Sequence, residues 1–127
     1  MIEAVFDTSI LIDYLRGVSS SAPLLEKVKS GAISGYVSVL TVAEIFAGKD
    51  AENPAKREIL GELLDLFSKI EVSEDVAKTA GDLRRRHGIT IVDAIIAATA
   101  AGLRCGLLTQ NIKDFGRVKE IAVEKPY

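Results

Sequence analysis

Residues 2–13 read Ile2-Glu3-Ala4-Val5-Phe6-Asp7-Thr8-Ser9-Ile10-Leu11-Ile12-Asp13. Residues 2–6 favour a β-strand and residues 9–16 a short helix, so Asp7 stands where the strand gives way to the helix. Thr8 and Ser9 are candidate caps for that helix. Because open α/β sheets bind ligands outside the carboxyl ends of their strands, Asp7 is a candidate ligand-binding carboxylate.

Strands and helices alternate along the chain, which we predict to form one domain over residues 1–127. Runs of β-forming residues predict strands over 2–6, 35–39, 70–72, 106–109 and 121–123. Apolar periodicity and capping residues predict helices over 9–16, 22–30, 41–47, 54–68, 74–87 and 90–101, and a helical turn from Asp114. This alternation predicts an α/β fold in which helices cover both faces of a mostly parallel sheet.

The composition limits the class of protein. The chain has 127 residues, 48% of them hydrophobic, a mean hydropathy of +0.23 and a net charge of −2. We expect a well-filled core or an apolar face for a partner, and no membrane span. The single cysteine, Cys105, excludes an internal disulfide and favours a cytoplasmic location. The charge disfavours nucleic-acid binding unless bound cations reverse its sign locally.

Three more acids lie inside apolar segments near predicted helix starts: Glu44, Asp93 and Asp114. A buried carboxylate without a partner costs several kcal/mol, so it takes up a proton or recruits a cation. We expect the fold to bring these acids together with Asp7 to hold a divalent metal ion. Oxygen ligands without a cysteine or histidine cluster favour Mg²⁺ or Mn²⁺ over Zn²⁺.

Helix capping is the alternative explanation for these acids. Thr41 and Glu44, Thr90 and Asp93, and Asn111 and Asp114 all have capping-box spacing. In that case the protein is a non-catalytic α/β binding module. Capping does not account for Asp7, which follows a strand.

Two other α/β classes fit the residues less well. A phosphotransfer receiver-like domain needs a phosphoacceptor aspartate after a middle strand, where this chain has Ser38 and Thr41. A haloacid-dehalogenase-type phosphatase needs a second aspartate where Ser9 stands. The only histidine, His87, lies beside Arg86 and is more simply a solvated residue at a helix end.

Four blocks of sequence together resemble a PIN-domain ribonuclease of the VapC toxin type. They occur in the family's order and span nearly the whole chain: Asp7-Thr8-Ser9-Ile10-Leu11-Ile12-Asp13, Ser38-Val39-Leu40-Thr41-Val42-Ala43-Glu44-Ile45, Asp93-Ala94-Ile95-Ile96-Ala97-Ala98-Thr99-Ala100, and Leu108-Thr109-Gln110-Asn111-Ile112-Lys113-Asp114-Phe115. The resemblance implies a three-layer α/β/α sandwich. It also implies an endoribonuclease that uses Mg²⁺ or Mn²⁺ and leaves 5′-phosphate and 3′-hydroxyl ends.

Carried over to this chain, the family's acidic residues fall on Asp7, Glu44, Asp93 and Asp114. Some family members have an acid where Asn111 stands, so Asn111 and Asp114 both stay candidates for the fourth ligand. The hydroxyls of Thr8, Ser9 and Thr109 are candidates to orient a metal-bound water. Gln110 stands where relatives often have an arginine.

The resemblance also implies partners. VapC-like proteins generally form homodimers and are neutralised by a cognate antitoxin protein. Leu11, Leu15 and Phe46 are candidates to line a groove for an apolar antitoxin helix. Close to Asp114 in the sequence, Lys113, Arg117 and Lys119 are the best candidates to contact the RNA backbone.

Overall fold

The computed structural model describes residues 2–127, so Met1 of the predicted domain lies outside the described residues. Five strands form one sheet, and they are β1 (Ile2–Phe6), β2 (Ile33–Ser38), β3 (Ser68–Ile70), β4 (Gly106–Leu108) and β5 (Val123–Glu124). The strand order is β3-β2-β1-β4-β5, and every pairing is parallel. The sequence order therefore reverses between β1 and β4, which is where open α/β sheets place their ligands.

Helices cover both faces of the sheet, as the sequence predicts. They are α1 (Thr8–Leu15), α2 (Ala22–Lys29), α3 (Val39–Phe46), α4 (Pro54–Leu64), α5 (Glu74–His87), α6 (Ile91–Leu103) and α7 (Ile112–Phe115), with 3₁₀ turns at Ser19–Ser21 and Lys49–Glu52. This arrangement confirms the three-layer α/β/α sandwich. It also differs from receiver-like domains, whose strand order is 2-1-3-4-5.

The alternation of side chains in β1 divides the core into two clusters. Ala4 and Phe6 point to one face and pack with residues of α1, α2, α3 and α4. Val5 points to the other face and packs with residues of α5 and α6 and with Phe115. Because successive strand residues point to opposite faces, both layers of helices are anchored on the same central strand.

The predicted helix over 54–68 is too long, and its buried face is partly wrong. The helix ends at Leu64, and residues 65–67 form a turn in which Phe67 N–H donates to the Leu64 carbonyl. Ile59, which the periodicity places on the buried face, is 54% exposed, whereas Leu60 is buried. The turn is needed because β3 must start at Ser68 to pair with Tyr36 of β2.

The predicted stop of the next-to-last helix at Gly102 is also wrong. The helix α6 continues to Leu103 and ends at Arg104, which adopts the left-handed conformation with φ of 54°. Leu103 packs against the second core cluster, and this contact explains why the helix runs past the glycine. Within residues 2–127, no single helix is long and apolar enough to cross a membrane; α5 and α6 qualify only as a pair, and they meet at 118°.

Gly35 of β2 lies under the ring of Phe67, which packs edge-on against Phe6 with 5.0 Å between ring centroids. A Cβ atom at Gly35 would lie 2.7 Å from Cδ1 of Phe67, a distance that real Cβ atoms do not show. The close approach of strand and ring therefore requires a glycine at this position.

We expect Gly35→Ala to lower the free energy of unfolding by about 1–3 kcal/mol, because the phenylalanine ring must move within a packed core. The matched control is Gly61→Ala in α4, where an added Cβ meets nothing within 4 Å. That change should raise the free energy of unfolding by about 0.4–1 kcal/mol. Urea unfolding measures both, and equal effects would contradict the tight contact.

Candidate active site

Asp7 lies at the carboxyl end of β1 and is only 6% exposed. Its Oδ2 atom accepts hydrogen bonds from Ser9 Oγ at 2.7 Å and from Thr109 Oγ1 at 2.8 Å. Among residues 2–127 no further hydrogen bond reaches the carboxylate, so Oδ1 stays free for a ligand. The hydroxyls of Ser9, in α1, and Thr109, after β4, therefore hold Asp7 at the point where the strand order reverses.

Both of these hydroxyls are themselves fixed by backbone. Gln110 N–H donates to Ser9 Oγ at 3.3 Å, and Asn111 N–H donates to Thr109 Oγ1 at 2.9 Å. Both hydroxyls donate their protons to Asp7. That Ser9 and Thr109 orient a metal-bound water stays a prediction. Ser9 is also no cap, because the N-cap position of α1 belongs to Asp7 itself, which makes no capping bond with its side chain.

Glu44 departs from the predicted position in two respects. It lies in the last turn of α3 and not at a helix start, and it is exposed rather than buried among its apolar neighbours. Its Oε1 atom accepts a hydrogen bond of 2.7 Å from Thr8 Oγ1. Thr8 is the first residue of α1, so it does not cap that helix, and its hydroxyl holds Glu44. That Thr8 also orients a metal-bound water stays a prediction.

Asp93 is the third residue of α6 and is half-buried. The N-cap is Thr90, whose hydroxyl accepts from Asp93 N–H at 3.2 Å, as the spacing predicts. Burial raises the pKa of Asp93, and the charge of Asp7 raises it further; Thr90 opposes the shift, while Asp114 and Glu44 add to it. The charges of all three other acids therefore raise the pKa of Asp93.

Asp114 is held by its neighbour in α7. Asn111 donates from Nδ2 to Asp114 Oδ2 at 2.9 Å, and both residues are half-buried. Asn111 occupies the N-cap position of α7 but makes no capping bond with its side chain. The amide therefore orients the carboxylate, and the two candidates for the fourth ligand form one unit.

Helix capping does not explain these four acids. The predicted box at Thr41 is wrong, since Ser38 caps α3 and Thr41 bonds to Thr8. Within the described part of the chain, no carboxylate of the four accepts a hydrogen bond from a helix N–H, and none forms an ion pair with a lysine, arginine or histidine. They remain negative groups without a cation.

The four acids are not arranged as the ligands of one metal ion. Among residues 2–127, no three histidine, cysteine, aspartate or glutamate side chains stand so that they could hold one metal ion. Hydroxyl and amide donors already occupy one oxygen each of Asp7, Glu44 and Asp114.

The sequence suggested that His87 is a solvated residue, but the structure shows it in contact with an acid. Its Nε2 atom lies 2.8 Å from Glu120 Oε1, and Arg86 donates to Oε2 of the same carboxylate at 3.3 Å. This cluster ties the end of α5 to the loop before β5. Of the candidates for RNA contact, Lys113 and Arg117 are exposed and form no ion pair with residues 2–127, whereas Lys119 donates to the Gly116 carbonyl.

The predicted apolar groove is only partly correct. Leu11 is completely buried and cannot line it, and the ring of Phe46 is covered by the Arg57 guanidinium at 4.7 Å. Leu15 does line a groove of about 260 Å³ that begins at Glu44 and is otherwise bounded by Ile12, Arg16, Ile45, Gly48, Lys49, Asp50 and Leu60. The groove thus has an apolar floor and charged groups at its rim, and it opens beside the site.

The chain is similar to known proteins over nearly its whole length. A family model described as "PIN domain" matches residues 4–121. The chain is 33% identical to Ribonuclease VapC19 of Mycobacterium tuberculosis, covering 97% of this chain and 98% of that protein, and 31% identical to Ribonuclease VapC10 of the same organism, covering 91% and 87%. A toxin–antitoxin complex from Klebsiella pneumoniae matches the fold with a TM-score of 0.82 at 33% identity, covering 98% of both chains.

We expect Asp7→Asn to lower the pKa of Asp93 towards its ordinary value of 3.8, because the variant removes the largest charge effect on that group. A raised pKa in the folded state also means that Asp93 opposes folding increasingly as the pH rises through that pKa, and the variant weakens this effect. Carboxyl NMR titration measures the shift. Glu62→Gln on α4 is the control, and a pKa of Asp93 unchanged in Asp7→Asn would contradict the proximity of the acids.

Proposed function

The chain belongs to the PIN-domain family, and from that premise we propose that it is a metal-dependent endoribonuclease, the toxin of a toxin–antitoxin pair. The observation that carries the proposal is the group of four uncompensated carboxylates around Asp93, at the carboxyl edge of the sheet. The relatives named ribonucleases, which align with nearly the whole chain, support the reaction class.

We assign the metal ligands to Asp7, Glu44, Asp93 and Asp114, with Asn111 as the partner that orients Asp114. Oxygen is the only donor type in this set, which favours Mg²⁺ or Mn²⁺. The free Oδ1 of Asp7 and the half-buried carboxylate of Asp93 are the first donors that we assign. Glu44 and Asp114 would complete the set through Oε2 and Oδ1, the oxygens that Thr8 and Asn111 leave without a hydrogen bond among residues 2–127.

Different residues of the chain have different roles in the proposed hydrolysis. A bound divalent cation supplies an activated water and neutralises charge on the scissile phosphate. Ser9 and Thr109 hold Asp7 in one orientation through the two hydrogen bonds that its Oδ2 atom accepts. The exposed Lys113 and Arg117 are the side chains that we propose to contact RNA phosphates, because they precede and follow Asp114 closely in the sequence.

This assignment accounts for RNA binding by an acidic protein. The net charge of −2 includes four acids of the site, and the cation at the site offsets their charge locally. Lys113 and Arg117, which form no ion pair within the described part of the chain, would then add positive charge close to Asp114 in the sequence. RNA binding is therefore expected to depend on the metal and on the salt concentration.

An antitoxin protein is the expected partner. The related Klebsiella pneumoniae structure is a toxin–antitoxin complex, and the groove beside Glu44 offers an apolar floor for a helix of such a partner. Occupation of that groove would also block access to Glu44. The homodimer, the single-domain assignment and the cytoplasmic location stay predictions.

We expect Asp7→Asn to reduce RNA cleavage to background while the protein stays as stable as before, or more stable, because the change removes a buried charge that is repelled by its neighbours. Cleavage of labelled RNA with Mg²⁺ or Mn²⁺, with and without EDTA, measures the activity, and urea unfolding measures the stability. Glu62→Gln should retain full activity. Loss of folding in Asp7→Asn would favour a structural role for this carboxylate.

Millimolar Mg²⁺ should raise the melting temperature of the unsubstituted protein, because a ligand that binds only the folded state stabilises it. Asp93→Asn should show a smaller rise, since one donor is lost. Thermal unfolding at several Mg²⁺ concentrations tests this, with Ca²⁺-free buffer and an EDTA control. A melting temperature that does not change with Mg²⁺ or Mn²⁺ would contradict the assigned site.

A further inference from the structure

Two buried threonines connect the exposed Glu44 carboxylate to the core between α1 and α3. The side chains of Thr8 and Thr41 are 4% and 0% exposed. Thr8 Oγ1 lies 2.7 Å from Glu44 Oε1 and 2.9 Å from Thr41 Oγ1. The three groups therefore form one continuous chain of hydrogen bonds.

The chemistry of these groups sets the direction of both bonds. An ionised carboxylate only accepts, and a threonine hydroxyl has a single proton to donate. Thr8 gives its proton to Glu44, so Thr41 must be the donor in the contact between the two hydroxyls. A hydroxyl that accepts a hydrogen bond becomes a better donor, and each bond thus strengthens the next.

We propose that Thr41 is a positioning residue of the active site, which acts through Thr8 to hold the Glu44 carboxylate in one orientation. The inference rests on the proposed function, since it concerns how a metal ligand of that site is held. Glu44 needs such support because it is exposed, and an exposed glutamate samples several rotamers. Asp7, by contrast, is buried and is held by its own pair of hydroxyls.

The hydroxyl of Thr41 does not make the bond that a threonine inside a helix commonly makes. In α6 the buried Thr99 donates to the carbonyl of Ile95, four residues earlier, at 2.8 Å. Thr41 is the third residue of α3, so the residue four positions earlier, Val37, lies in β2, and the Thr41 hydroxyl contacts Thr8 of α1 instead. Thr99 is therefore a control for a buried threonine hydroxyl whose hydrogen bond stays within its own helix.

The test compares Thr41→Val, Thr41→Ser, Thr8→Val and the double variant Thr8→Val/Thr41→Val, with Thr99→Val as the matched control. Thr41→Val should weaken Mn²⁺ binding by about 10-fold, the lower end of the effect of groups that support metal ligands. Thr41→Ser and Thr99→Val should bind Mn²⁺ as the unsubstituted protein does. If Thr41 acts through Thr8, the double variant should bind no more weakly than Thr8→Val alone.

Isothermal titration calorimetry measures Mn²⁺ affinity, and three-bond NMR couplings measure the Glu44 χ1 rotamer in the metal-free protein. The couplings should show one rotamer in the unsubstituted protein and in Thr41→Ser, and averaging in Thr41→Val. Urea unfolding checks that each variant is folded. Averaging of the Glu44 rotamer only in variants that lack the hydroxyl of Thr8 or Thr41 would support the proposal.

Two outcomes would overturn the inference: a fixed Glu44 rotamer in Thr41→Val, or effects of Thr8→Val and Thr41→Val on Mn²⁺ affinity that simply add. The failure of the proposed function looks different. In that case the unsubstituted protein neither cleaves RNA nor binds Mn²⁺. The couplings of the metal-free protein then show whether Thr8 and Thr41 fix the Glu44 rotamer. An unchanged rotamer in Thr41→Val would mean that the two threonines have only a structural role.

Discussion

A carboxylate enclosed at the end of the central strand must be satisfied by donors, and in this protein hydroxyl groups supply them. Asp7 receives Ser9 and Thr109 on one oxygen, and backbone N–H groups of residues 110 and 111 fix both hydroxyls. These bonds join the start of α1 to the segment after β4. The geometry at the switch point of the sheet thus depends on keeping one negative charge hydrogen-bonded but unpaired.

The site uses a similar solution for each acid, at different levels of exposure. Hydroxyls hold Asp7 and Glu44 and an amide holds Asp114. A side-chain hydrogen bond with Thr90 lowers the pKa of Asp93, against the larger effects of burial and of Asp7, which raise it. Neutral donors fix the orientation of a carboxylate without cancelling its charge. A lysine or arginine in the same place would hold the acid equally well but would compete with a metal ion.

Much of this arrangement can be read from the sequence because it is local. The end of β1 predicts the place of Asp7, and the cap at Thr90 predicts the place of Asp93 in α6. The layers of the fold follow from the alternation of strands and helices. Helix ends were less accurate, since Leu103 and Phe67 find partners in the core that no local pattern reveals.

The contacts that complete the site could not be predicted in the same way. Thr41 and Glu44 have the spacing of a capping box, and only the structure shows that Ser38 caps the helix and that Thr41 faces Thr8. Glu44 was expected to be buried because its neighbours are apolar. It is exposed because α3 turns Ile45 and not Glu44 towards the core.

The distance in sequence between the parts of the site affects how the chain behaves during translation. Asp7 and Thr109, which hold each other, are 102 positions apart. Synthesis proceeds from the N-terminus, so the first carboxylate leaves the ribosome long before its partner and before Asp114 exists. A nascent chain therefore cannot assemble these contacts until nearly all of its residues have left the ribosome.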